Sequence, residues 1–246
     1  MDTFKKEGLN SNQIKMIAII AMTIDHVTWL LYPGYQKIWW VLGLHAVGRL
    51  TAPIMWFFVS EGFHYTRNVK KYIARLFVFA VISHFAYNFA GGLPFIPNGF
   101  FNMTSVMWSL AWSVVLMVIF TAKQIPQWGK ILLIVLICLI TFPSDWSTVA
   151  AMCPVYLYLN RGSFKKQSIT LLVWTAVYAT VYFLFMDRTY GVLQMCTLLS
   201  LPIMKQYNGK RGGWKGMKWF FYIYYPAHLF VIGILRVIMG NGVIFP

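Results

Sequence analysis

The chain has 246 residues, of which 59% are hydrophobic, 18% aromatic and only 11% charged, and its mean hydropathy is +0.62. Soluble domains carry about 25% charged residues, so this composition excludes a soluble globular protein and indicates a polytopic integral membrane protein. The formal net charge of +15 does not indicate a nucleic-acid partner, because most basic residues lie in short loops between apolar segments, where they mark the cytoplasmic side.

The apolar segments predict an all-α membrane bundle of about nine transmembrane helices, in one acyltransferase-like domain covering residues 1–246. Asn10 and Gln13 match a capping box at the start of the first helix, and Pro53 predicts a kink in the second. Alternation of the basic loops places the N-terminus inside and the C-terminus outside. Residues 91–104, uncharged and rich in Gly and Pro, predict an outer loop or a re-entrant piece. The predicted spans are 14–31, 39–62, 73–90, 105–122, 130–142, 147–159, 168–186, 190–204 and 218–238.

Three single cysteines, Cys138, Cys153 and Cys196, lie inside apolar segments and read as packing residues, because their spacing matches neither a zinc site nor a disulfide framework. The histidines show no HxxxH or HExxH spacing, so no metal is expected. The chain also lacks a P-loop and a GxSxG motif, which gives no support to nucleotide hydrolysis or serine-hydrolase chemistry.

Asp25 and His26 are polar residues inside the first apolar segment. At about 1.5 Å per residue, Asp25 lies roughly 16 Å from Ile14, near the middle of the bilayer. A carboxylate at this depth is costly unless it is paired, which makes it a candidate functional residue. Adjacent side chains diverge by about 100° on a helix, so Asp25 and His26 each need a partner on another helix.

The second apolar segment supplies such partners. His45 and Arg49 are four residues apart and so share one helix face, and Arg49 is the predicted counter-ion of Asp25. A neutral histidine, His26 by preference or else His45, is then available as a proton acceptor. The alternative is a structural ion pair with hydrogen-bonded histidines.

Further histidines and a polar amide are weaker candidates for positions around an acceptor. His84 and Asn88 share a face of the third predicted span, and His228 follows Pro226 in the last span. Each is either a polar core residue with satisfied hydrogen bonds or a direct participant in the site.

Arg67, Lys71 and Arg75 form a basic stripe that follows the second span. Such a stripe is typical of a topology and lipid-headgroup signal. It also suits a phosphate-rich cofactor that enters from the cytoplasm, because Arg and Lys bind phosphates well.

Several runs of residues match the pattern of a known family: 9–15, 18–22, 24–26, 48–50 with Pro53, 60–63, 65–72, 102–110, 145–146 and 220–229. On these runs the chain resembles the TraX family, named for the membrane acetylase of conjugative pilin and related to larger transmembrane acyltransferases that use acyl-CoA. The resemblance covers most of the chain and is most specific in the first third. It implies acetyl-CoA as the acyl donor and places Asp25, His26 and Arg49 in the active-site region, whereas the acceptor is left open.

The residues and the resemblance together predict a membrane acyltransferase in the bacterial cytoplasmic membrane. It would move an acetyl group from a cytosolic CoA thioester to an amine or hydroxyl of an outer acceptor, a protein N-terminus or a glycan. His26 would be the base, and Arg49 or Asn88 would stabilise the oxyanion. Direct transfer and an acyl-histidine intermediate both stay open. The alternatives are a transporter or flippase in which Asp25, Arg49 and the histidines form a relay, and a structural membrane partner. Membrane lipids are the other expected partners, and no feature indicates an oligomeric state.

Overall fold

A computed structural model describes residues 7–93, 95, 103–214 and 216–240 of the chain. Two sequence-based predictions lie outside these residues: most of the loop at 91–104 and the outer C-terminus.

The described residues form eleven α-helices and one 3-10 helix, which confirms the all-α prediction for this part of the chain. The only β-type contacts among them are two isolated bridges. The helices are α1 Ser11–Leu31, α2 Trp39–Gly48, α3 Thr51–Tyr65, α4 Val69–Gly91, α5 Val106–Thr121, α6 Gln127–Thr141, α7 Ser147–Leu159, α8 Phe164–Phe185, α9 Arg188–Leu193, the 3-10 helix Gln194–Ser200, α10 Leu201–Lys205 and α11 Met217–Ile238.

Helix α1 begins with the predicted capping box. The Asn10 side chain accepts hydrogen bonds from the backbone N–H groups of Asn12 and Gln13, at 3.0 and 3.1 Å. The Gln13 side chain accepts in return from the Asn10 N–H at 2.9 Å. These bonds satisfy N–H groups that have no partner within the helix, and the prediction is confirmed.

Five stretches of the described chain are helical, long and apolar enough to cross a bilayer. Three shorter apolar helices, α5, α6 and α7, have 13 to 16 residues, fewer than the roughly 20 that a perpendicular span needs. The protein is therefore a transmembrane helical protein, while nine spans and an inner N-terminus are not confirmed. The five stretches are Ser11–Leu31, Trp39–Tyr65, Val69–Gly91, Phe164–Phe185 and Met217–Ile238.

The second predicted span is interrupted earlier than expected. We predicted a kink at Pro53, but the helix breaks at Arg49 and Leu50, between α2 and α3. Pro53 lies in the first turn of α3, where the N–H that proline lacks would have no partner within the helix. The interruption therefore lies at Arg49 and Leu50 and not at the proline.

The predicted span at 190–204 is not one regular helix, which corrects the sequence analysis. Its centre is the 3-10 helix, in which Gln194, Thr197 and Ser200 are all buried. A 3-10 helix has three residues per turn, so polar residues spaced by three align on one side. On this side Thr197 forms a hydrogen bond with Thr175 of α8, with 2.9 Å between the two hydroxyl oxygens.

The chain divides into two compact units. The first unit comprises Met1–Phe58 and Leu159–Lys218, and in it α1 packs against α2 while α9 and the 3-10 helix pack against α8 and α2. The segment before α1 pairs with the segment after α10, where the Leu9 N–H donates to the Gln206 carbonyl at 2.8 Å.

The second unit comprises Val59–Tyr158 and Trp219–Pro246. Helix α5 packs against both α4 and α6. A glycine allows one close approach here, since a Cβ on Gly62 would lie 2.7 Å from the hydroxyl oxygen of Tyr72.

Candidate functional site

An ion pair connects α1 to the end of α2 in the first unit. Nη2 of Arg49 donates to both oxygens of Asp25, at 3.1 Å to Oδ1 and 3.0 Å to Oδ2. The Asp25 and Arg49 side chains are only 13% and 10% exposed. The counter-ion predicted for Asp25 is therefore present, and each charge compensates the other in a buried setting.

His45 is the second partner of Asp25. Its Nδ1 lies 2.7 Å from Asp25 Oδ1, and its side chain is fully buried. The carboxylate paired with Arg49 can only accept, so Nδ1 of His45 donates to it. Nε2 has no hydrogen-bond partner among the described residues. The carboxylate therefore fixes the orientation of the imidazole ring.

Gly48 allows α1 to approach α2 this closely. A Cβ at position 48 would lie 2.5 Å from Asp25 Oδ1, closer than two non-bonded atoms can approach. A Cβ at Gly43, on the same helix, would meet no atom within 4 Å. The absence of a side chain at Gly48 therefore leaves the space that the Asp25 carboxylate occupies, whereas Gly43 has no such role.

Gln194 completes the setting of Arg49. Nη1 of Arg49 donates to Gln194 Oε1 at 3.3 Å, and Nε donates to the backbone carbonyl of His45 at the same distance. Gln194 is buried at the start of the 3-10 helix. These bonds orient the guanidinium toward Asp25, so Gln194 is a positioning residue that our sequence analysis missed.

Aromatic rings surround His45. The ring centroids of Trp29 and Tyr190 lie 4.6 and 5.5 Å from that of His45, and Tyr35 packs against Tyr190 at 4.9 Å. The Tyr190 hydroxyl donates to the carbonyl of Gln36 at 3.1 Å. The rings exclude water from the imidazole and limit its rotation, which strengthens the electrostatic interaction between His45 and Asp25.

A second carboxylate, Asp187, anchors Tyr190 from outside the spanning helices. Its Oδ1 accepts the Tyr190 N–H at 3.0 Å, and its Oδ2 lies 3.4 Å from Nζ of Lys37. The backbone N–H of Tyr190 lowers the pKa of Asp187, and the Lys37 ammonium adds to that lowering. Asp187 is thus ionised at neutral pH and caps the start of α9.

His84 and Asn88 lie together in the second unit, where both histidine nitrogens are engaged. Nε2 lies 3.0 Å from the Phe95 carbonyl oxygen and 3.2 Å from the Asn88 amide nitrogen. Nδ1 lies 2.9 Å from the Thr104 hydroxyl oxygen. The arrangement ties α4 to the chain around Phe95 and Thr104.

His228, on α11 in the second unit, points its Nδ1 at the carbonyl of Tyr224, 2.9 Å away. Its ring stacks on that of Tyr224 at a centroid distance of 5.2 Å. Its predicted place near the acceptor stays a prediction.

The basic stripe also belongs to the second unit. Arg67 and Lys71 are exposed, whereas Arg75 is half-buried, with its guanidinium carbon 5.7 and 5.5 Å from the ring centroids of Tyr72 and Tyr222. Arg75 thus has a packing role that its sequence spacing did not indicate.

The structure therefore brings Asp25, His45 and Arg49 together, with His26 next to Asp25 on α1. Sequence reasoning missed Gly48 and Gln194. A signal existed for Gln194, since it is a polar amide in a predicted span, followed by Thr197 and Ser200 at three-residue spacing. Gly48 lies in the run 48–50 that matches the family pattern, but no role was indicated for it, because a glycine within an apolar helix has many causes.

Comparison with known proteins places this chain in a family. A protein-family model described as TraX protein matches residues 10–236. The chain is 31% identical over 230 residues to the probable fimbrial assembly protein FimC, serogroup H1, of Dichelobacter nodosus, and the match covers 88% of this chain and 91% of the relative. No solved structure matches this chain.

Proposed function

Since this chain belongs to the TraX family, we propose that it is a membrane acyltransferase whose active site is the cluster of Asp25, His45 and Arg49. The observation that carries the proposal is the His45 ring. Its Nδ1 is held by Asp25 at 2.7 Å, while its buried Nε2 has no partner among the described residues. A histidine that a carboxylate orients in this way can act as the general base of an acyl transfer.

In the proposed step, His45 Nε2 takes a proton from the acceptor amine or hydroxyl. The acceptor atom attacks the thioester carbonyl carbon, a bond to the acyl group forms, and the carbon–sulfur bond breaks. The thiolate of CoA leaves and takes the proton from His45, so protons and charge balance over the cycle. Asp25 stabilises the imidazolium that exists between the two proton transfers.

Arg49 has two roles in this proposal. It keeps Asp25 ionised through the bonds at 3.0 and 3.1 Å, and its positive charge stabilises the oxyanion that develops on the thioester carbonyl. His45 replaces His26 as the preferred base, because His45 forms a direct hydrogen bond to the carboxylate. The part of His26 stays a prediction, as does oxyanion stabilisation by Asn88.

The proposed donor is acetyl-CoA on the cytosolic side of a bacterial inner membrane. The name of the relative, a probable fimbrial assembly protein, favours the N-terminal amine of a pilus subunit over a glycan as the acceptor. Binding of the CoA phosphates by Arg67, Lys71 and Arg75 stays a prediction, and a weaker acetyl-CoA affinity after changing all three to Gln would support it.

The test uses purified protein in lipid nanodiscs with radiolabelled acetyl-CoA and a peptide that has a free N-terminal amine. We expect His45→Gln to bind acetyl-CoA as the unchanged protein does and to transfer the label about 10²–10⁴ times more slowly. His64→Gln is the matched control, since His64 is exposed at the end of α3, and it should transfer normally.

Transfer at the normal rate by His45→Gln would refute the assignment of the base, and loss of transfer in His26→Gln alone would move the base to His26. A protein that drives pH-dependent solute flux without any dependence on CoA would instead be the transporter considered above.

A further inference from the structure

An open cavity of about 490 Å³ lies beside the candidate site in the first unit. Most of its lining side chains are apolar, and one is a cation. The lining includes Leu42, Phe183, Arg188, Val192, Leu193 and Cys196.

The cavity adjoins the active-site elements through two of its walls. Leu42 lies on α2, three residues before His45 and so on a neighbouring part of the same helix face. Cys196 lies two residues after Gln194 in the 3-10 helix. An occupant of the cavity would therefore lie close to the elements that carry the base and its arginine.

Arg188 supplies a cation at the edge of this apolar space. Its guanidinium carbon lies 6.0 Å from the ring centroid of Phe183, within reach of a cation–π interaction. The neighbouring carboxylate of Asp187 is already paired with Lys37. No carboxylate of the described residues forms an ion pair with Arg188, so its charge is available to an anionic ligand.

The side chains around the opening are apolar and exposed. Val192 is 62% exposed and Phe183 is 41% exposed, and the adjacent Leu184 and Phe185 at the end of α8 are exposed as well. In a membrane protein such a surface faces lipid chains, and a groove that opens on it takes its occupant from the bilayer.

We propose that this cavity binds an acyl chain of an anionic membrane phospholipid, with the headgroup phosphate paired to Arg188. The apolar walls match the chain, and the guanidinium at the edge matches the phosphate, so the site distinguishes an anionic headgroup from a zwitterionic one. This inference goes beyond the proposed function and holds whether or not the chain transfers acyl groups.

Cys196 makes the proposal testable, because this residue lines the cavity and the chain has only two other cysteines. The double change Cys138→Ser with Cys153→Ala leaves Cys196 as the single thiol. Its alkylation rate by N-ethylmaleimide is then measured in nanodiscs of phosphatidylcholine alone and of phosphatidylcholine with phosphatidylglycerol. The reagent is uncharged, so the surface potential of the bilayer does not change its local concentration.

We expect phosphatidylglycerol to slow alkylation of Cys196 by about two- to fivefold, the effect of an ion pair that is partly exposed to water. Arg188→Gln should remove this difference between the two bilayers. Arg161→Gln, which changes an arginine outside the cavity lining, should keep it.

A second variant keeps the test independent of Arg188. Val192→Trp should fill the cavity and slow alkylation equally in both bilayers, whereas Val181→Trp, on an exposed position of α8 outside the lining, should not. Equal rates in the two bilayers for the single-thiol protein, protection that survives Arg188→Gln, or a thiol that is unreactive in every bilayer would each refute the proposal. The assay needs no acyl donor, so its failure is distinct from failure of the proposed function.

Discussion

His45 of the first unit and His84 of the second are both helical histidines that hydrogen bond to neighbouring side chains, and they differ in what holds the ring. A carboxylate holds His45 through Nδ1 and leaves Nε2 without a partner among the described residues. A carbonyl and a hydroxyl hold His84 at both nitrogens. A histidine with one oriented nitrogen and one available nitrogen can move a proton, whereas a histidine bonded at both ends connects two parts of the backbone.

The surroundings of the two histidines also differ in charge. The surroundings of His45 contain the ion pair of Asp25 and Arg49, whereas the hydrogen-bond partners of His84 are uncharged. Mutation of one member of a buried ion pair costs more unfolding free energy than mutation of a neutral partner. The remaining member is left as an unpaired charge in a medium of low dielectric. The two clusters should therefore respond to mutation with very different magnitudes.

The largest expected effect is on the ion pair. Asp25→Ala or Arg49→Ala leaves one buried charge without compensation and should cost roughly 3–5 kcal/mol of unfolding free energy. The measurement is denaturant unfolding in detergent, with the yield of folded protein as a second readout. Part of the loss should return in the double variant Asp25→Asn with Arg49→Gln, which removes both charges. If the double variant is no more stable than either single alanine variant, the two charges do not compensate each other.

A smaller effect should separate the two glycines of α2. Gly48→Ala places a methyl group against Asp25 and should cost about 1–3 kcal/mol. Gly43→Ala on the same helix meets open space and should be neutral or stabilise the helix by up to about 1 kcal/mol. Thermal unfolding of both variants checks this expectation. Equal stability of the two would mean that α1 and α2 do not approach closely at Asp25.

Two variants in the 3-10 helix can be compared in the same way. Gln194→Ala removes the acceptor of Arg49 Nη1 and should cost about 1.5–3 kcal/mol, the range for a hydrogen bond to a charged group. It should also shift the pH profile of acyl transfer, because Arg49 would hold Asp25 less firmly. Thr197→Val removes the bond to Thr175 and should lower stability by about 1 kcal/mol without moving that profile. A shifted profile in both variants would reduce Gln194 to a general packing role.

The smallest effect concerns Asp187, which holds Tyr190 beside His45. Asp187→Asn keeps a side chain that can cap α9 but loses the pair with Lys37, so it should lower the melting temperature by about 1–3 °C at pH 7. Asp187→Ala loses the cap as well and should lower it further.

The pH dependence follows from the lowered pKa of Asp187. The stabilisation by the ionised carboxylate is present above the pKa of an unfolded aspartate, about 3.9, and is lost as the pH falls through the lower value of the folded state. The difference between the unchanged protein and Asp187→Asn should thus disappear under acid conditions. A difference that is constant from pH 7 to pH 3 would contradict the role of the charge.

The order of residues along the chain was enough to predict much of this protein. Composition alone indicates helices in a membrane, because a chain with 59% hydrophobic and only 11% charged residues has too few charges for the surface of a soluble protein. Local rules predicted the capping box at Asn10. The spacing of His45 and Arg49, together with the rarity of buried charges, predicted the pairing of Arg49 with Asp25.

Only the tertiary structure decided which histidine Asp25 holds. His26 follows Asp25 directly and His45 is twenty residues away, and periodicity gives no distance between two helices. The break at Arg49 and Leu50, the closeness permitted by Gly48, and the contact of Arg49 with Gln194, 145 residues later in the chain, likewise depend on how helices pack. Local propensity is a property of neighbouring residues, whereas the partner of a buried polar atom is set by contacts between distant segments, which compensate its lost hydration only in the folded chain.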